Sequence, residues 1–349
     1  MKRLLPEWVA ADGVLMALPA PHTDWAYILD RTIDQYKRIV ETFVAEGIHV
    51  VLLCPSYSEA SKKFSEKSKK GITFVEMEYN DTWTRDYGPI TILKHGDLRG
   101  LDFGFNGWGL KFAADKDNLV NRGLNEKSVF NKGIYRNESA FILEGGSIDT
   151  DGEGTILTTT RCLCSPNRNG GLTKQEADRE LRKRLGAEHI LFLDYGSLIG
   201  DDTDSHIDTL ARMAPDNVIL FTGCRDMDDP QFEELLKMRA QLSMFRNAEG
   251  EPFNLVELPL PDAIFDEDGN RLPATYANYL VTEKVLFMPV YNQPEKDELA
   301  MQTVRIAFPD HKVVGIDCTT LLWQHGSLHC ATMQLPKGLF NPVVFDYGR

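Results

Sequence analysis

The sequence predicts an α/β protein built from repeated units that mix helices with strands. Amphipathic helices are each followed by a short apolar strand, and further strands lie between these pairs. Because the strands do not alternate singly with helices, a strictly alternating βαβ sheet is not expected. With 349 residues, of which 42% are hydrophobic and 26% charged, the chain can form two domains or one large α/β unit.

Four helices, each followed by a strand, form the regular part of this prediction. In the first helix, apolar residues recur at spacings of three and four, which is typical of one buried face. The second begins with a capping box formed by Thr173 and Glu176. The predicted pairs are 26–46 with 48–54, 173–186 with 189–195, 230–242 with 253–258, and 294–308 with 311–317. Apolar runs predict further strands at 89–93, 154–160, 217–222 and 279–290.

Charge and cysteine usage exclude several classes of protein. The formal net charge of −14 provides no basic face for a nucleic acid and is compatible with a cationic substrate. The six cysteines are sparse and lack CxxC spacing, so we expect a cytoplasmic protein without a disulfide framework. No signal peptide or membrane span is expected, since no apolar run approaches ~20 residues. No dinucleotide or P-loop glycine fingerprint is present.

Four stretches carry residues that could perform chemistry. Each lies at the end of a strand-like segment or in a loop beside one, where ligands of α/β proteins often bind. The stretches are "NDTWTRDYGP" (80–89), "EGGSID" (144–149), "GDDTDSHID" (200–208) and "HGSLHCATMQ" (325–334).

Cys330 is the candidate nucleophile in the last stretch. If the segment is extended, His329 and Cys330 point to opposite faces, so His329 could not activate the thiol directly. His206 is the better partner, since a thiolate needs a nearby positive charge from an imidazolium or a cationic substrate. The structural alternative is that Cys330 is a small buried apolar residue. Cys162 and Cys164 form a lone CxC without a second ligand pair, which argues against zinc.

The acidic run offers three interpretations. If extended, it places Asp204, His206 and Asp208 on one face. These side chains could bind a metal ion with further partners, or they could grip a planar guanidinium through carboxylates. The third interpretation is an Asp-rich solvated turn.

The two remaining stretches add an aromatic residue and two carboxylates. Asp86 could take a second edge of a cation while Trp83 packs against an apolar linker. Glu144 precedes two glycines, which allow close approach of the backbone. The structural alternatives are a core tryptophan beside an Arg–Asp pair and an ordinary turn carboxylate.

In their order along the chain, these stretches resemble the agmatine deiminase branch of the guanidine-modifying (pentein) superfamily, also called the bacterial-type peptidylarginine deiminase family. The resemblance covers nearly the whole chain. It rests on "PEWVAADGVLMALP", "TDW", "WTRDYGP", "FNGWG" (105–109), "EGGSID", "NRN" (167–169), "TDSHID" and "HCATMQ". Two details depart from the family pattern: "HGSLHC" replaces a glycine-rich block, and Ser205 replaces a glycine.

The resemblance implies a pentein α/β propeller of five pseudo-symmetric ββαβ units around a central active site, formed by one catalytic domain over 1–349. It implies that agmatine is hydrolysed to N-carbamoylputrescine and ammonia, a reaction of putrescine biosynthesis, through a covalent cysteine intermediate and without cofactor or metal. The expected partner is a small cationic guanidine, and a homo-oligomer is left open. The implied catalytic residues are Cys330, His206, Asp86 and Asp208, and the implied substrate-binding residues are Trp83, Glu144 and Asp202.

Three alternatives remain at this point. The substrate could be free arginine or peptidyl-arginine, which would require Arg or Lys to meet a carboxylate. The Asp/His run could belong to a metal hydrolase. The chain could also be a binding module on the same fold, although such a protein would be expected to lack the nucleophile.

Overall fold

The computed structural model describes residues 2–341, so residue 1 and residues 342–349 of the expected domain 1–349 lie outside the described residues. The strands are β1 (Lys2–Leu4), β2 (Ala11–Ala17), β3 (Val50–Cys54), β4 (Ile72–Glu76), β5 (Ile90–Lys94), β6 (Asp97–Gly104), β7 (Tyr135–Ile142), β8 (Ile148–Thr150), β9 (Thr155–Thr159), β10 (His189–Leu193), β11 (Ala211–Ala214), β12 (Val218–Thr222), β13 (Asn254–Leu258), β14 (Leu280–Val281), β15 (Val285–Val290), β16 (Lys312–Asp317) and β17 (Met333–Pro336). The helices are α1 (Leu29–Ala45), α2 (Tyr57–Ser61), α3 (Glu66–Lys69), α4 (Thr84–Tyr87), α5 (Gly107–Leu110), α6 (Val120–Glu126), α7 (Thr160–Leu163), α8 (Lys174–Leu185), α9 (Phe232–Met244) and α10 (Pro294–Ala307).

The strands described in residues 2–341 form five sheets with one recurring topology. In each sheet an antiparallel pair is followed, after at least one helix, by a strand parallel to the second member of the pair. Four of these triplets are β5-β6-β7, β8-β9-β10, β11-β12-β13 and β14-β15-β16. The fifth, β17-β2-β3, joins segments from the two ends of the described chain. The mixed α/β class predicted from the sequence is confirmed.

The predicted helix and strand pairs are present with small changes at their ends. In α1 the buried face includes Tyr36, Val40 and Phe43, as the apolar spacing predicts. The capping box of Thr173 and Glu176 starts α8, which ends at Gly186 in a left-handed conformation that glycine adopts without strain. No helix in residues 2–341 has both the length and the apolar character needed to cross a bilayer.

One predicted strand, 279–290, is wrong as a single element. It divides into β14 and β15, which pair antiparallel as a short hairpin. Glu283 and Lys284 form its exposed turn, and the Thr282 side chain hydrogen-bonds to the backbone of Val285 at both its N–H and its carbonyl oxygen. Polar residues inside an apolar run therefore mark a turn rather than a continuous strand.

The five sheets bring five segments of the chain into equivalent positions. Each segment lies just before the first strand of its triplet, and its backbone is a short helical turn or an irregular loop. The segments and the strands that follow them are 84–87 before β5, 144–147 before β8, 206–209 before β11, 275–278 before β14, and 328–331 before β17. All four predicted stretches contribute to this set, and the fifth segment was not predicted.

Candidate active site

Cys330 lies in a turn, so the extended conformation considered for its segment is not the one it adopts. Residues 328–331 form the turn that precedes β17, and the Cys330 side chain is 5% exposed. Its Sγ accepts a hydrogen bond from Nδ2 of Asn278 at 3.2 Å and lies 3.7 Å from Oδ2 of Asp208. The same asparagine uses Oδ1 to accept the backbone N–H groups of His329 and Cys330. Asn278 therefore fixes both the nucleophile and its backbone.

The surroundings of Cys330 favour its protonated form in the free protein. Burial and the nearby carboxylates of Asp208 and Asp86 all raise its pKa well above the usual range. An arriving cation would reverse the electrostatic part of this shift, because it would neutralise the two carboxylates and stabilise a thiolate.

His206 is fully buried and approaches a carboxylate. Its Nδ1 lies 3.6 Å from Oδ1 of Asp86, and neither ring nitrogen has a hydrogen-bond partner within the described residues. Burial lowers the pKa of His206, but the negative charge of Asp86 and other nearby groups raise it well above the usual range. Because its pKa is raised by Asp86, by Cys162 and by Glu144, the buried ring favours the protonated form and is suited to give a proton to a bound ligand.

The two aspartates present their carboxylates in different ways. Asp86 accepts hydrogen bonds from the backbone N–H of Gly146 and from the indole of Trp108, both at 2.9 Å. Asp208 accepts a bond from Nδ1 of His329 at 2.7 Å with Oδ2, while its buried Oδ1 has no partner among residues 2–341. Burial raises the pKa of both, and for Asp208 the bond to His329 reverses this and lowers it. The open oxygen of Asp208 is an acceptor available to a cationic ligand.

A glycine makes room for these groups to converge. A Cβ at Gly146 would lie 2.7 Å from Nδ1 of His206, 2.8 Å from Oδ1 of Asp86 and 3.0 Å from Oδ2 of Asp208. Any side chain at this position would displace all three groups. The two glycines of "EGGSID" therefore allow close approach, as the sequence suggested, and here they allow it for side chains.

Cys330 and Asp86 open into a cavity of about 270 Å³. Five of its fifteen lining residues are Phe, Tyr or Trp, and the ring of Trp83 packs directly on Gly326, where a Cβ would come within 2.3 Å. Three further carboxylates line it, and none of its described lining residues is Lys or Arg. The lining residues are Asp24, Tyr27, Asp81, Trp83, Asp86, Trp108, Phe112, Asp202, Thr203, Thr209, Trp323, Gln324, His325, Gly326 and Cys330.

Two of the three carboxylates that line the cavity away from Cys330 have raised pKa values. Burial, joined by other carboxylates, raises the pKa of Asp81 to about 7. Burial also raises the pKa of Asp202 to about 6. Asp24 is exposed. Carboxylates with raised pKa values gain stability when a cation binds beside them, so this end of the cavity favours positive charge.

His206, Asp208 and Glu144 do not line the cavity, although the family resemblance implied a place in the active site for all three. His206 and Asp208 lie directly behind Asp86 and Cys330.

Glu144 lies further from the sulfur. It is completely buried, and both its oxygens accept from Nε of Arg168 at 2.8 and 2.9 Å. Arg168 comes from the "NRN" block and also pairs with Asp204. Glu144 is therefore held behind the reactive groups rather than beside the cavity.

The acidic run does not form the face that an extended strand would give. Asp204 and Ser205 both have φ of +66°, which turns the chain, and Asp204 pairs with Arg168 and Lys111. Among residues 2–341, the one group with metal-ligand spacing is Glu144, Cys162 and His206, within 4.8 Å of one another. Since Arg168 already engages Glu144, its guanidinium would repel a cation there.

Several site residues were missed by sequence reasoning. Trp108 lies in the family motif "FNGWG", Asp24 in "TDW" and Asp81 in "NDTWTRDYGP", but no role was predicted for any of them. Asn278 occurs in the ordinary segment "YANY" and carries no sequence signal.

All six cysteines are free thiols, as expected.

A sequence model of Porphyromonas-type peptidyl-arginine deiminases matches residues 3–336 of the chain. The chain belongs to this family. Its members are deiminases, hydrolases that act on C–N bonds of amidines, and the chain is an enzyme of this class. The family resemblance read from the sequence is confirmed.

Relatives within the family carry different substrate names. The chain is 32% identical to a Shewanella sp. (strain W3-18-1) protein named "Putative agmatine deiminase", over 95% of this chain and 93% of the relative. A solved Porphyromonas gingivalis structure titled "Putative Arginine Deiminase" is 40% identical, with a TM-score of 0.92 and coverage of 98% and 100%. A C. jejuni agmatine deiminase, solved as a cysteine-to-serine variant with substrate bound, is 38% identical, with a TM-score of 0.87 and 97% coverage of both chains.

Proposed function

We propose that this deiminase hydrolyses agmatine to N-carbamoylputrescine and ammonia. One observation carries the proposal: the cavity is lined by the thiol of Cys330 and the carboxylate of Asp86, with Asp208 3.7 Å from the sulfur, and by three further carboxylates without Lys or Arg in its described lining. A guanidinium fits the first set and a primary ammonium fits the second. The substrate-bound structure of the C. jejuni agmatine deiminase supports this choice by homology.

Binding would prepare the thiol for attack. The guanidinium donates hydrogen bonds to Asp86 and to the open Oδ1 of Asp208, which places its central carbon near Cys330. Its positive charge offsets the two carboxylates, and the thiol loses its proton to solvent. The carboxylates also keep the guanidinium cationic and therefore electrophilic.

The first chemical step forms a C–S bond and breaks a C–N bond. The Cys330 thiolate attacks the central carbon, and the His206 imidazolium donates its proton to the nitrogen that leaves as ammonia. The cationic amidino group then remains attached to sulfur, and His206 is neutral. The total charge of the reacting groups is unchanged.

The second step releases the product. Neutral His206 takes a proton from water, and the hydroxide attacks the amidino carbon. The C–S bond breaks with the electron pair on sulfur, the ureido product forms, and the proton lost from the new C–O group restores the thiol. His206 is again an imidazolium, as in the starting protein. No metal or organic cofactor is required by these steps.

Agmatine is favoured over arginine by the charges along the cavity. The carboxylate of arginine would meet Asp81 and Asp202, and no Lys or Arg is present in the described lining to pair with it.

The experiment is ammonia release with agmatine, free arginine and a blocked arginine peptide as parallel substrates. We expect kcat/KM for agmatine to exceed the other values by about 10²-fold or more, as unpaired buried charge implies. A higher kcat/KM for arginine would show that the proposed substrate is wrong. Chelators should not reduce the activity with any of the three substrates.

We also infer that the five sheets are arranged as the pentein propeller around this site and act as one catalytic domain. The five equivalent segments before β5, β8, β11, β14 and β17 support this arrangement. The product would place the reaction in putrescine biosynthesis. The cytoplasmic location, the homo-oligomer and the exclusion of nucleic acid stay predictions.

A further inference from the structure

His329 lies between the buried carboxylate of Asp208 and the half-buried carboxylate of Glu7, directly beside the nucleophile. Its Nδ1 is 2.7 Å from Oδ2 of Asp208, and its Nε2 is 2.7 Å from Oε1 of Glu7. The imidazole is 1% exposed, so neither nitrogen has an alternative partner in bulk water. These two contacts connect the loop between β1 and β2 to the reactive groups.

Two such contacts determine the proton count of the ring. An ionised carboxylate only accepts hydrogen bonds, and a neutral imidazole has only one N–H to donate. Burial raises the pKa of Glu7, but the charges of Arg212, His329 and Arg85 hold it well below the usual range. The pKa of Asp208 is also lowered, because the bond to His329 outweighs burial. With both carboxylates ionised, both ring nitrogens of His329 must donate.

The rest of the buried network has balanced charge. Glu7 also pairs with Arg85 at 3.0 Å and with Arg212 at 2.6 Å, and Arg212 pairs with Asp149 at 2.6 Å. With His329 as a cation, three positive groups and three carboxylates alternate in this network. With a neutral His329, one buried negative charge would be left without a matching cation, which is costly.

We propose that His329 is a positioning residue, held between Glu7 and Asp208 by its two hydrogen bonds, that occupies one oxygen of Asp208 and leaves the other free for the guanidinium. This inference rests on the proposed function for the identity of the ligand. It assigns a role to the residue beside the nucleophile that does not involve activation of the thiol. It also makes Glu7, 322 positions earlier in the chain, part of the support of the site.

The first test is kinetic and compares His329→Gln and Glu7→Gln with His311→Gln. Glutamine at 329 can still donate to one carboxylate but carries no charge. In His329→Gln and in Glu7→Gln, kcat/KM for agmatine should fall roughly 10- to 100-fold, which corresponds to the loss of a hydrogen bond to a charged group. His311 bonds the carbonyl of Thr282 and does not line the cavity, so its variant should match wild type.

The pH profile separates positioning from a general loss of stability. The charged groups that face His329 are Asp208 and Glu7, with Arg85 and Arg212 behind Glu7. The bond from His329 lowers the pKa of Asp208, so its loss in His329→Gln should move the acid limb of kcat/KM to higher pH. A lower fraction of active enzyme, with the acid limb of kcat/KM at the same pH as in wild type, would show that His329 has only a structural role. That result would overturn the proposal.

The second test does not require activity. In ¹⁵N-histidine-labelled protein, the His329 signals are those missing in His329→Gln. If that variant does not fold, they are the signals of a ring with two N–H groups that persist in His206→Gln, which removes the other buried histidine. We expect two protonated ring nitrogens at pH 7 in wild type, because both face carboxylates, and one N–H in Glu7→Gln. A neutral ring with one N–H at pH 7 would overturn the inference. Absence of ammonia release from every guanidine would refute only the proposed function.

Discussion

The indole N–H of Trp108 donates to Oδ2 of Asp86 at 2.9 Å, while the backbone N–H of Gly146 donates to Oδ1 at the same distance. These two bonds fix the plane of the carboxylate, and each oxygen retains one acceptor position for a ligand. Trp108 adopts φ of 54° between two glycines that also have positive φ. The positive φ values in the "FNGWG" motif therefore turn the chain so that the indole of Trp108 reaches Asp86.

Replacement Trp108→Phe should separate the hydrogen bond from the aromatic packing. The ring contacts with Phe105 and Phe112, at 4.9 and 5.5 Å between centroids, can be kept by phenylalanine. Loss of a bond to a carboxylate corresponds to about 1.5–3 kcal/mol, so kcat/KM for agmatine should fall about 10- to 100-fold with little change in Tm. Trp8→Phe, away from the cavity, is the matched control. A Trp108→Phe enzyme within twofold of wild type would contradict this role.

Replacement Cys330→Ala should remove turnover and preserve substrate binding. The proposed covalent step needs sulfur, so we expect ammonia release to fall by about 10³-fold or more. Agmatine should still bind, measured by calorimetry, because the cation loses none of its carboxylate partners. In wild type, rapid quenching and mass spectrometry should find an amidino adduct on Cys330. Cys224→Ser is the control, and substantial activity in Cys330→Ala would exclude this nucleophile.

The part of the site that could be predicted from sequence is the part with unusual residue composition. The acidic run and the isolated Cys330 draw attention because charges and thiols are rare in apolar segments, and four of the five converging segments were found in this way. Asn278 could not be found, since an asparagine in "YANY" resembles any turn residue until the sheets place it beside Sγ of Cys330. Whether 204–208 is extended could not be decided either, because the two consecutive positive φ values at Asp204 and Ser205 depend on tertiary contacts.

Replacement Gly146→Ala should disrupt the site without a large loss of stability elsewhere. The added Cβ would come within 3.0 Å of groups on His206, Asp86 and Asp208 at once, so each must move by several tenths of an ångström. We expect a fall in kcat of about 10²-fold, since such displacements have that effect on positioned groups. Gly315→Ala is a fair control because its neighbours are flexible side chains of Met301 and Val290. Equal activity losses in the two variants would contradict the argument.

Replacement Glu144→Gln should act mainly on stability. Glu144 and Arg168 are 0% and 1% exposed, and removing one partner of such a pair typically costs about 3–5 kcal/mol. We expect urea unfolding to show a loss of this order, together with reduced activity at 37 °C. Glu257→Gln removes a carboxylate that pairs with the largely exposed Arg225 and should cost less than about 1 kcal/mol. A stable Glu144→Gln protein with only a raised KM would instead support the direct substrate contact implied by the family.

The pH dependence of KM should reveal how the cavity recognises the distal ammonium. Burial raises the pKa of Asp81 to about 7 and that of Asp202 to about 6, so both become protonated as pH falls through this range. Protonation removes their attraction for a cation, and KM for agmatine should therefore rise as pH falls from about 8 to about 5.5. The analogue 4-guanidinobutanol has the same guanidinium and no distal charge, so its KM should respond much less. In Asp202→Asn the part of the agmatine profile near pH 6 should be lost, while the part near pH 7, where Asp81 titrates, should remain. Parallel pH profiles for the two substrates in wild type would show that these aspartates do not bind the amine.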